Sequence, residues 1–80
     1  MKVTLLAFGI IKEIFGNKSM LIELADNSSA NDLKNVLELR FPQLKELPSC
    51  LVAVNDEYAE DSQVLHPEDE VAIIPPVSGG

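Results

Sequence analysis

Cysteine and histidine, which build most zinc sites, are nearly missing from this sequence of 80 residues, since each occurs only once. A single cysteine cannot form an internal disulfide, and Cys50 and His66 stand in separate segments without the spacing of a metal site. Cys50 lies in an apolar run, where no nearby base or positive charge would activate its thiol. We therefore predict no metal site, and we interpret Cys50 as a packing residue rather than a nucleophile or a sulfur-carrying thiol.

Long apolar stretches are missing as well. Every apolar run is far shorter than the roughly 20 residues that a membrane-spanning helix needs. Met1 and Lys2 lead directly into an alternating segment, without the length or the cleavage site of a signal peptide. With 46% hydrophobic and 24% charged residues, the composition is that of an ordinary globular chain. We expect one small domain in the cytoplasm that does not interact with a membrane.

Positive charge is missing from the second half of the chain. All six lysine and arginine residues lie within residues 1–45, whereas residues 46–80 hold eight of the 13 acidic residues. An acidic half cannot neutralise phosphates, which argues against a nucleic acid partner. The acidic charge is compatible with attraction to a basic protein surface, and equally with a solvated face that aids solubility.

Periodicity predicts a small α+β domain. Residues 2–8 place Val3, Leu5 and Ala7 on one side, and residues 19–24 place Met20, Ile22 and Leu24 on one side, as two antiparallel strands with a buried face do. A short helical turn between them stops at Gly16. Ser29 and Asp32 resemble a capping box that begins the main helix, and Pro42 ends it at Phe41. Residues 50–54, 58–59 and 71–74 are expected to add strands.

One main helix across a mixed sheet matches the ubiquitin-like β-grasp fold. In that arrangement the first and last strands lie parallel at the centre of the sheet, and the C-terminus projects from one edge. We therefore predict a β-grasp domain over residues 1–76 and a flexible, functional tail over residues 77–80.

The end of the chain has the properties of a segment that can be threaded into a narrow channel. Pro75 and Pro76 stop the last strand because neither has an N–H to donate. Val77 and Ser78 follow, and Gly79-Gly80 has no side chains to obstruct passage. Extended, residues 76–80 span roughly 16–18 Å, which is enough to cross the wall of a partner enzyme. The alternative is a frayed terminus without function.

Several segments resemble a known family. They are Phe8, Lys12-Glu13-Ile14-Phe15-Gly16, Val54-Asn55-Asp56-Glu57-Tyr58 and the whole stretch from Leu65 to Gly80. Together they resemble the small subunit of molybdopterin synthase, the sulfur carrier of molybdenum cofactor synthesis. The resemblance covers essentially the whole chain. Its closing Pro-Pro-Val-Ser-Gly-Gly is specific, whereas Gly-Gly alone would fit any ubiquitin-like carrier.

The resemblance implies that Gly80 is the reacting residue of a chain that binds no cofactor permanently. An E1-like adenylyltransferase would use ATP to adenylate its carboxylate, and sulfur transfer would give a thiocarboxylate. The large subunit of the synthase would receive residues Pro75 to Gly79 in its channel and pass the sulfur to a cyclic pterin. Two small and two large subunits would form the complex, with the catalytic acids and bases on the large subunit.

A partner also needs a surface to bind. Strand alternation places Ile74 on the face of the sheet away from the helix, with Phe8 beside it and Tyr58 nearby. An exposed apolar and aromatic patch of this kind suits the core of an interface, and the resemblance implies that this face docks on partners. The alternative is that Phe8 and Tyr58 close the rim of the domain's own core.

Three other functions stay open from the residues alone. A sulfur carrier for thiazole synthesis would share the fold, the tail and the activation chemistry, but the Pro-Pro-Val-Ser sequence and the longer chain disfavour it. A ubiquitin-like modifier would instead be conjugated to lysines of other proteins through Gly80. A plain interaction module would lose nothing when Gly79 and Gly80 are removed.

Overall fold

The computed structural model describes residues 1–47 and 50–75. Within them the chain forms five strands, two α-helices and one 3₁₀ helix. In chain order these elements are β1 (Lys2–Ala7), α1 (Gly9–Phe15), β2 (Ser19–Glu23), α2 (Ala30–Arg40), the 3₁₀ helix (Pro42–Glu46), β3 (Leu51–Val54), β4 (Glu57–Tyr58) and β5 (Glu70–Ile74). The predicted order of elements is confirmed. The predicted tail and the domain boundary after residue 76 lie outside the described residues.

The strands form one mixed sheet in the order β2–β1–β5–β3–β4. β1 and β5 run parallel, with Leu5 beside Val71 and Ala7 beside Ile73. β2 pairs antiparallel with β1, and β3 pairs antiparallel with β5. Because parallel strands end at the same edge of a sheet, β5 delivers Pro75 to the edge where β1 continues into α1.

α2 begins and ends where local chemistry requires. The Ser29 hydroxyl accepts a hydrogen bond from the Asp32 N–H at 3.2 Å, and an Asp32 carboxylate oxygen accepts one from the Ser29 N–H at 2.9 Å. These reciprocal bonds satisfy two backbone donors of the first turn and confirm the predicted capping box. The helix ends at Arg40, and Phe41 leaves helical geometry immediately before Pro42.

The core lies between α2 and one face of the sheet, which we call the inner face. Every second residue of a strand points to this face. The buried apolar residues of this core are Val3, Leu5, Ala7, Ile11, Phe15, Ile22, Leu24, Ala30, Leu33, Leu37, Leu44, Val52, Val54, Leu65, Val71 and Ile73. Ala53, on the opposite face, is buried as well. No helix among the described residues is both long and apolar enough to cross a membrane.

α1 is a short helix between two glycines. Gly16 ends it with φ of +82° and donates its N–H to the Lys12 carbonyl at 2.9 Å, which confirms the predicted stop. The ring of Phe15 lies 4.6 Å from the ring of Phe41, so α1 packs against the end of α2. Ile11 is buried whereas the neighbouring Ile10 is exposed, since so short a helix presents only one face to the core.

Candidate partner interface

The face of the sheet away from α2, which we call the outer face, carries an apolar strip across four strands. Leu6 of β1 lies beside Ala72 of β5. Ala72 pairs with Ala53 of β3, and Ala53 pairs with Tyr58 of β4. Because paired residues of neighbouring strands point to the same face, these four side chains form one continuous strip.

A second apolar row lies nearer the C-terminal end of β5. Ile74 pairs with Leu51, which is 47% exposed. Phe8 follows β1 in extended geometry, with φ of −129° and ψ of 152°, and is 51% exposed. We call both rows together the outer patch: Leu6, Phe8, Leu51, Ala53, Tyr58, Ala72 and Ile74. All of them except Leu51, together with Asp56 and Glu70, border a depression of about 270 Å³.

The structure brings the predicted surface residues Phe8, Tyr58 and Ile74 together around this depression. Tyr58 is 72% exposed and Phe8 is 51% exposed, and neither belongs to the buried core. This exposure favours a surface role over the alternative that the two rings close the rim of the core. Their role in binding a partner stays a prediction.

Leu51 and Ala53 belong to the outer patch but were not singled out from the sequence. They lie in the run Cys50–Val54, in which all residues are apolar, so no alternation indicates which side chains face outward. The pairing of Leu51 with Ile74 provides the missing information, because Ile74 belongs to a strand whose alternation is clear. From the sequence, the outward-facing residues of the first row could therefore be identified only through the alternation in β1 and β5.

The borders of the outer patch differ in charge. Asp56 and Glu70 line the depression on the side of β4 and the start of β5. On the other side of Phe8, Lys12 and Lys18 line a second depression of about 490 Å³. A partner that covers the patch therefore meets carboxylates at one border and lysines at the other, which fixes its orientation more than its affinity.

A hydrogen-bonded turn holds Tyr58 in position. Asn55 and Asp56 form the turn between β3 and β4 with φ of 51° and 71°. The Asn55 side chain donates to a carboxylate oxygen of Asp69 at 2.9 Å and accepts from the Glu70 N–H at 3.0 Å. The turn is therefore tied to the first residue of β5 by a side chain as well as by the strand pairing.

Asp69 is the acceptor at the centre of this network. It also accepts from the His66 N–H at 2.8 Å. Burial alone would raise the pKa of the Asp69 carboxyl, but the hydrogen bonds from His66 and Asn55 outweigh it, and the pKa is lowered. The ionised carboxylate is thus the form that stabilises the loop before β5.

The base of the tail is the part of the predicted threading segment that the structure describes. Pro75 follows Ile74 and is half-buried. A β-carbon at Gly9, the first residue of α1, would lie 3.3 Å from Cγ of Pro75. The other predicted tail residues, Pro76, Val77, Ser78, Gly79 and the reacting Gly80, lie outside the described residues, so their roles stay predictions.

Cys50 lies away from the outer patch, in a cleft of about 400 Å³ that α2, the 3₁₀ helix and β3 border. Burial raises the pKa of its thiol, with Lys34 opposing the change and Glu38 adding to it. A thiol with a raised pKa is mostly protonated at neutral pH and reacts slowly as a nucleophile. Across residues 1–47 and 50–75, no three His, Cys, Asp or Glu side chains cluster as a metal site would require.

The family of the chain follows from comparison with known proteins. The model of the ThiS family matches residues 5–80. The chain belongs to the ThiS family.

Two curated relatives carry the name molybdopterin synthase sulfur carrier subunit. The Arabidopsis thaliana protein is 38% identical over 80 residues, which cover 99% of this chain and 83% of the relative. The Dictyostelium discoideum protein is 41% identical over 80 residues, which cover 95% and 93%. The resemblance that the sequence indicated is confirmed.

Several solved structures share the fold of this chain. A Pyrococcus furiosus protein described as molybdopterin converting factor subunit 1 has a TM-score of 0.86 and 26% identity, over 96% of this chain and 99% of its own. One subunit of a Helicobacter pylori complex of molybdopterin-converting factor subunits 1 and 2 has a TM-score of 0.70 and 26% identity, over 100% of both chains. Caldiarchaeum subterraneum ubiquitin, at 17% identity and a TM-score of 0.66 over 100% and 98%, is similar in fold alone. The predicted ubiquitin-like β-grasp fold is confirmed.

Proposed function

We propose that this chain is a sulfur carrier of molybdopterin biosynthesis that carries sulfur as a thiocarboxylate on Gly80. One observation above all supports the proposal: Phe8 and Ile74, at one border of the outer patch, lie at the end of the sheet at which Pro75 begins the tail. A partner that docks on the patch is therefore adjacent to the entry point of the tail. The names of the curated relatives in the same family add independent support.

The chemistry explains why a bare terminus suffices. A carboxylate is a poor electrophile, and adenylation of Gly80 with ATP releases pyrophosphate and leaves AMP as a good leaving group on its carbonyl carbon. Attack by sulfur at the oxidation level of sulfide displaces AMP and gives the thiocarboxylate. This thiocarboxylate is a soft nucleophile that can transfer its sulfur to carbon, after which water restores the carboxylate. The activating enzyme binds the ATP, so the carrier itself needs no resident cofactor.

The large subunit of molybdopterin synthase is the partner that we propose for the outer patch, in a complex of two small and two large subunits. The Helicobacter pylori structure supports this partner, since it contains subunits 1 and 2 of its factor together. Asp56 and Glu70 at the border of the patch favour a partner with basic side chains opposite β4 and β5. An E1-like adenylyltransferase is the second proposed partner, and we place both reactions in the cytoplasm.

The tail provides the other half of the binding. Residues Pro75 to Gly79 are proposed to occupy the channel of the large subunit, because no charged or aromatic side chain obstructs them. Glycine at the last two positions lets the backbone approach the reacting pterin closely. Docking and threading act together, since binding of the patch makes entry of the tail an intramolecular event with a high effective concentration.

The proposal is tested by the intact mass of the protein after incubation with its activating enzyme, ATP and a sulfur donor. We expect the mass increment of one oxygen-to-sulfur exchange, located on Gly80 by fragmentation. A variant that lacks Gly80 should gain nothing, and Cys50→Ser should gain as much as the parent chain, which excludes sulfur held on the cysteine. No increment with an activating enzyme that loads a known carrier would refute the proposal, and Gly80-linked lysines would indicate a protein modifier.

A further inference from the structure

Gly9 lies against the base of the C-terminal tail. It follows Phe8 at the end of β1 and begins α1, with φ of +55°. A β-carbon at this position would stand 3.3 Å from Cγ of Pro75. Pro75 is half-buried and is the residue after which the tail begins. The first turn of α1 and the base of the tail are therefore in direct contact.

Two separate properties of this contact require glycine. A φ of +55° lies in the left-handed region, where the β-carbon of an L-residue crowds its own carbonyl oxygen. In addition, a β-carbon at 3.3 Å from the Pro75 ring is closer than the optimal separation of carbon atoms. A side chain at position 9 would therefore strain the start of α1 and press on the Pro75 ring, which would have to shift by a few tenths of an ångström.

Pro75 has little freedom to absorb such a displacement. Ile74, the residue before it, is held by its pairing with Leu51 in the sheet. The proline ring fixes φ of Pro75 at about −65°. The position of Pro75 therefore sets where, and in which direction, the chain leaves β5.

We propose that Gly9 is a positioning residue for sulfur transfer: its lack of a side chain sets the direction in which the tail leaves β5. This inference rests on the proposed carrier function and deepens it. When the outer patch is docked, the direction of the tail decides whether Gly80 meets the reacting atoms of the partner. Gly9 touches neither the sulfur nor the pterin and acts only through Pro75.

Gly16 offers a matched control at the other end of the same helix. It also has a positive φ, of +82°, but a β-carbon there would meet nothing within 4 Å. Gly9→Ala and Gly16→Ala thus impose the same kind of backbone strain, and only Gly9→Ala contacts the tail. Gly9→Asn is a second variant, because asparagine tolerates the left-handed region and still carries a β-carbon.

The experiment measures single-turnover sulfur transfer from chains that carry a preformed Gly80 thiocarboxylate, at saturating large subunit. We expect Gly9→Ala and Gly9→Asn to slow transfer on the order of tenfold relative to Gly16→Ala, since misplacement by 1 Å can cost about 100-fold in rate. Because the large subunit is saturating, any loss of the affinity that the tail provides does not lower the measured rate. Replacing Pro75 as well, in Gly9→Ala/Pro75→Ala, removes Cγ and should restore part of the rate.

A second readout does not depend on the carrier function. The backbone amide shifts of residues 77–80, measured by NMR, should change in Gly9→Ala and stay as in the parent chain in Gly16→Ala. Equal transfer rates and unchanged tail shifts in all glycine variants would overturn the role of Gly9. A parent chain that transfers no sulfur would overturn the proposed function, while the NMR comparison would still decide whether Gly9 directs the tail.

Discussion

The two faces of the sheet are built from alternate residues of the same strands, yet they serve different ends. Leu5 faces inward and is 0% exposed, whereas the next residue, Leu6, faces outward and is half-buried. In β5 the same alternation separates Val71 from Ala72. α2 covers the inner face, while no described element covers the outer patch. Burial on one face maintains the fold, and the apolar surface on the other face is the one that we propose for a partner.

The largest difference expected between the two faces is the loss of stability when a side chain of the inner face is truncated. We expect Leu5→Ala to lower the free energy of unfolding by about 2–5 kcal/mol, because it leaves a cavity in a fully buried site. Leu6→Ala on the outer face removes the same atoms from a half-buried site and should cost clearly less. Urea unfolding of both variants measures the difference, and equal losses would contradict the assignment of the faces.

The second prediction concerns the outer patch, where truncation should change binding rather than stability. Phe8→Ala and Tyr58→Ala should each weaken binding to the large subunit by about 1–2 kcal/mol or more, as aromatic residues at the centre of interfaces do, with little change in stability. Leu39→Ala is the matched control, since Leu39 is 80% exposed but lies on α2, away from the outer patch. Calorimetric titration would contradict the account if the Leu39 variant lost as much affinity as the aromatic variants.

The sequence predicted most of the inner face because two local signals agreed there. Alternation in the first and last strands separated inward-facing from outward-facing side chains, and the capping box at Ser29 placed the start of the covering helix. The outer patch was predicted only in part, through Phe8, Tyr58 and Ile74. Which residues of the apolar β3 face outward depends on pairing across the sheet, and one strand's sequence does not contain that information.

The contact between Gly9 and Pro75 also could not be predicted from the sequence. The two residues are far apart in the chain, and neither local sequence indicates a contact with the other. Parallel pairing of β1 with β5 brings them to the same edge of the sheet. Such a contact depends on tertiary structure, and no local pattern of residue types indicates it.

A smaller effect should come from the helix that covers the inner face. Ser29→Ala removes the hydroxyl that accepts from the Asp32 N–H, and we expect a loss of about 1 kcal/mol in the free energy of unfolding. Affinity for the large subunit should be unchanged, since the outer patch lies on the opposite side of the sheet. Ser29→Thr keeps an acceptor oxygen and should retain most of the stability. A fall in affinity for Ser29→Ala would show that the two faces are coupled.

The smallest predicted effect concerns pH. Because the pKa of Asp69 is lowered in the folded state, its stabilising contribution is present above its unfolded pKa of about 3.9 and is lost as the pH falls through the lower folded value. Asp69→Asn should therefore make unfolding less dependent on pH below about 4, a range set by the ordinary aspartate pKa. Unfolding curves recorded across this range give the slope of the free energy of unfolding against pH. An Asp69→Asn slope equal to that of the parent chain would exclude the Asp69 network as its source.

The most direct test of the central claim follows the sulfur on Gly80 when two side chains of the outer patch are truncated together. Intact mass is followed for the Gly80 thiocarboxylate with the large subunit and cyclic pterin monophosphate. We predict return to the carboxylate mass only when both are present, and a much slower return for a Leu6→Ala/Tyr58→Ala double variant. A thiocarboxylate that persists with an active large subunit, or a double variant as fast as the parent chain, would contradict the account.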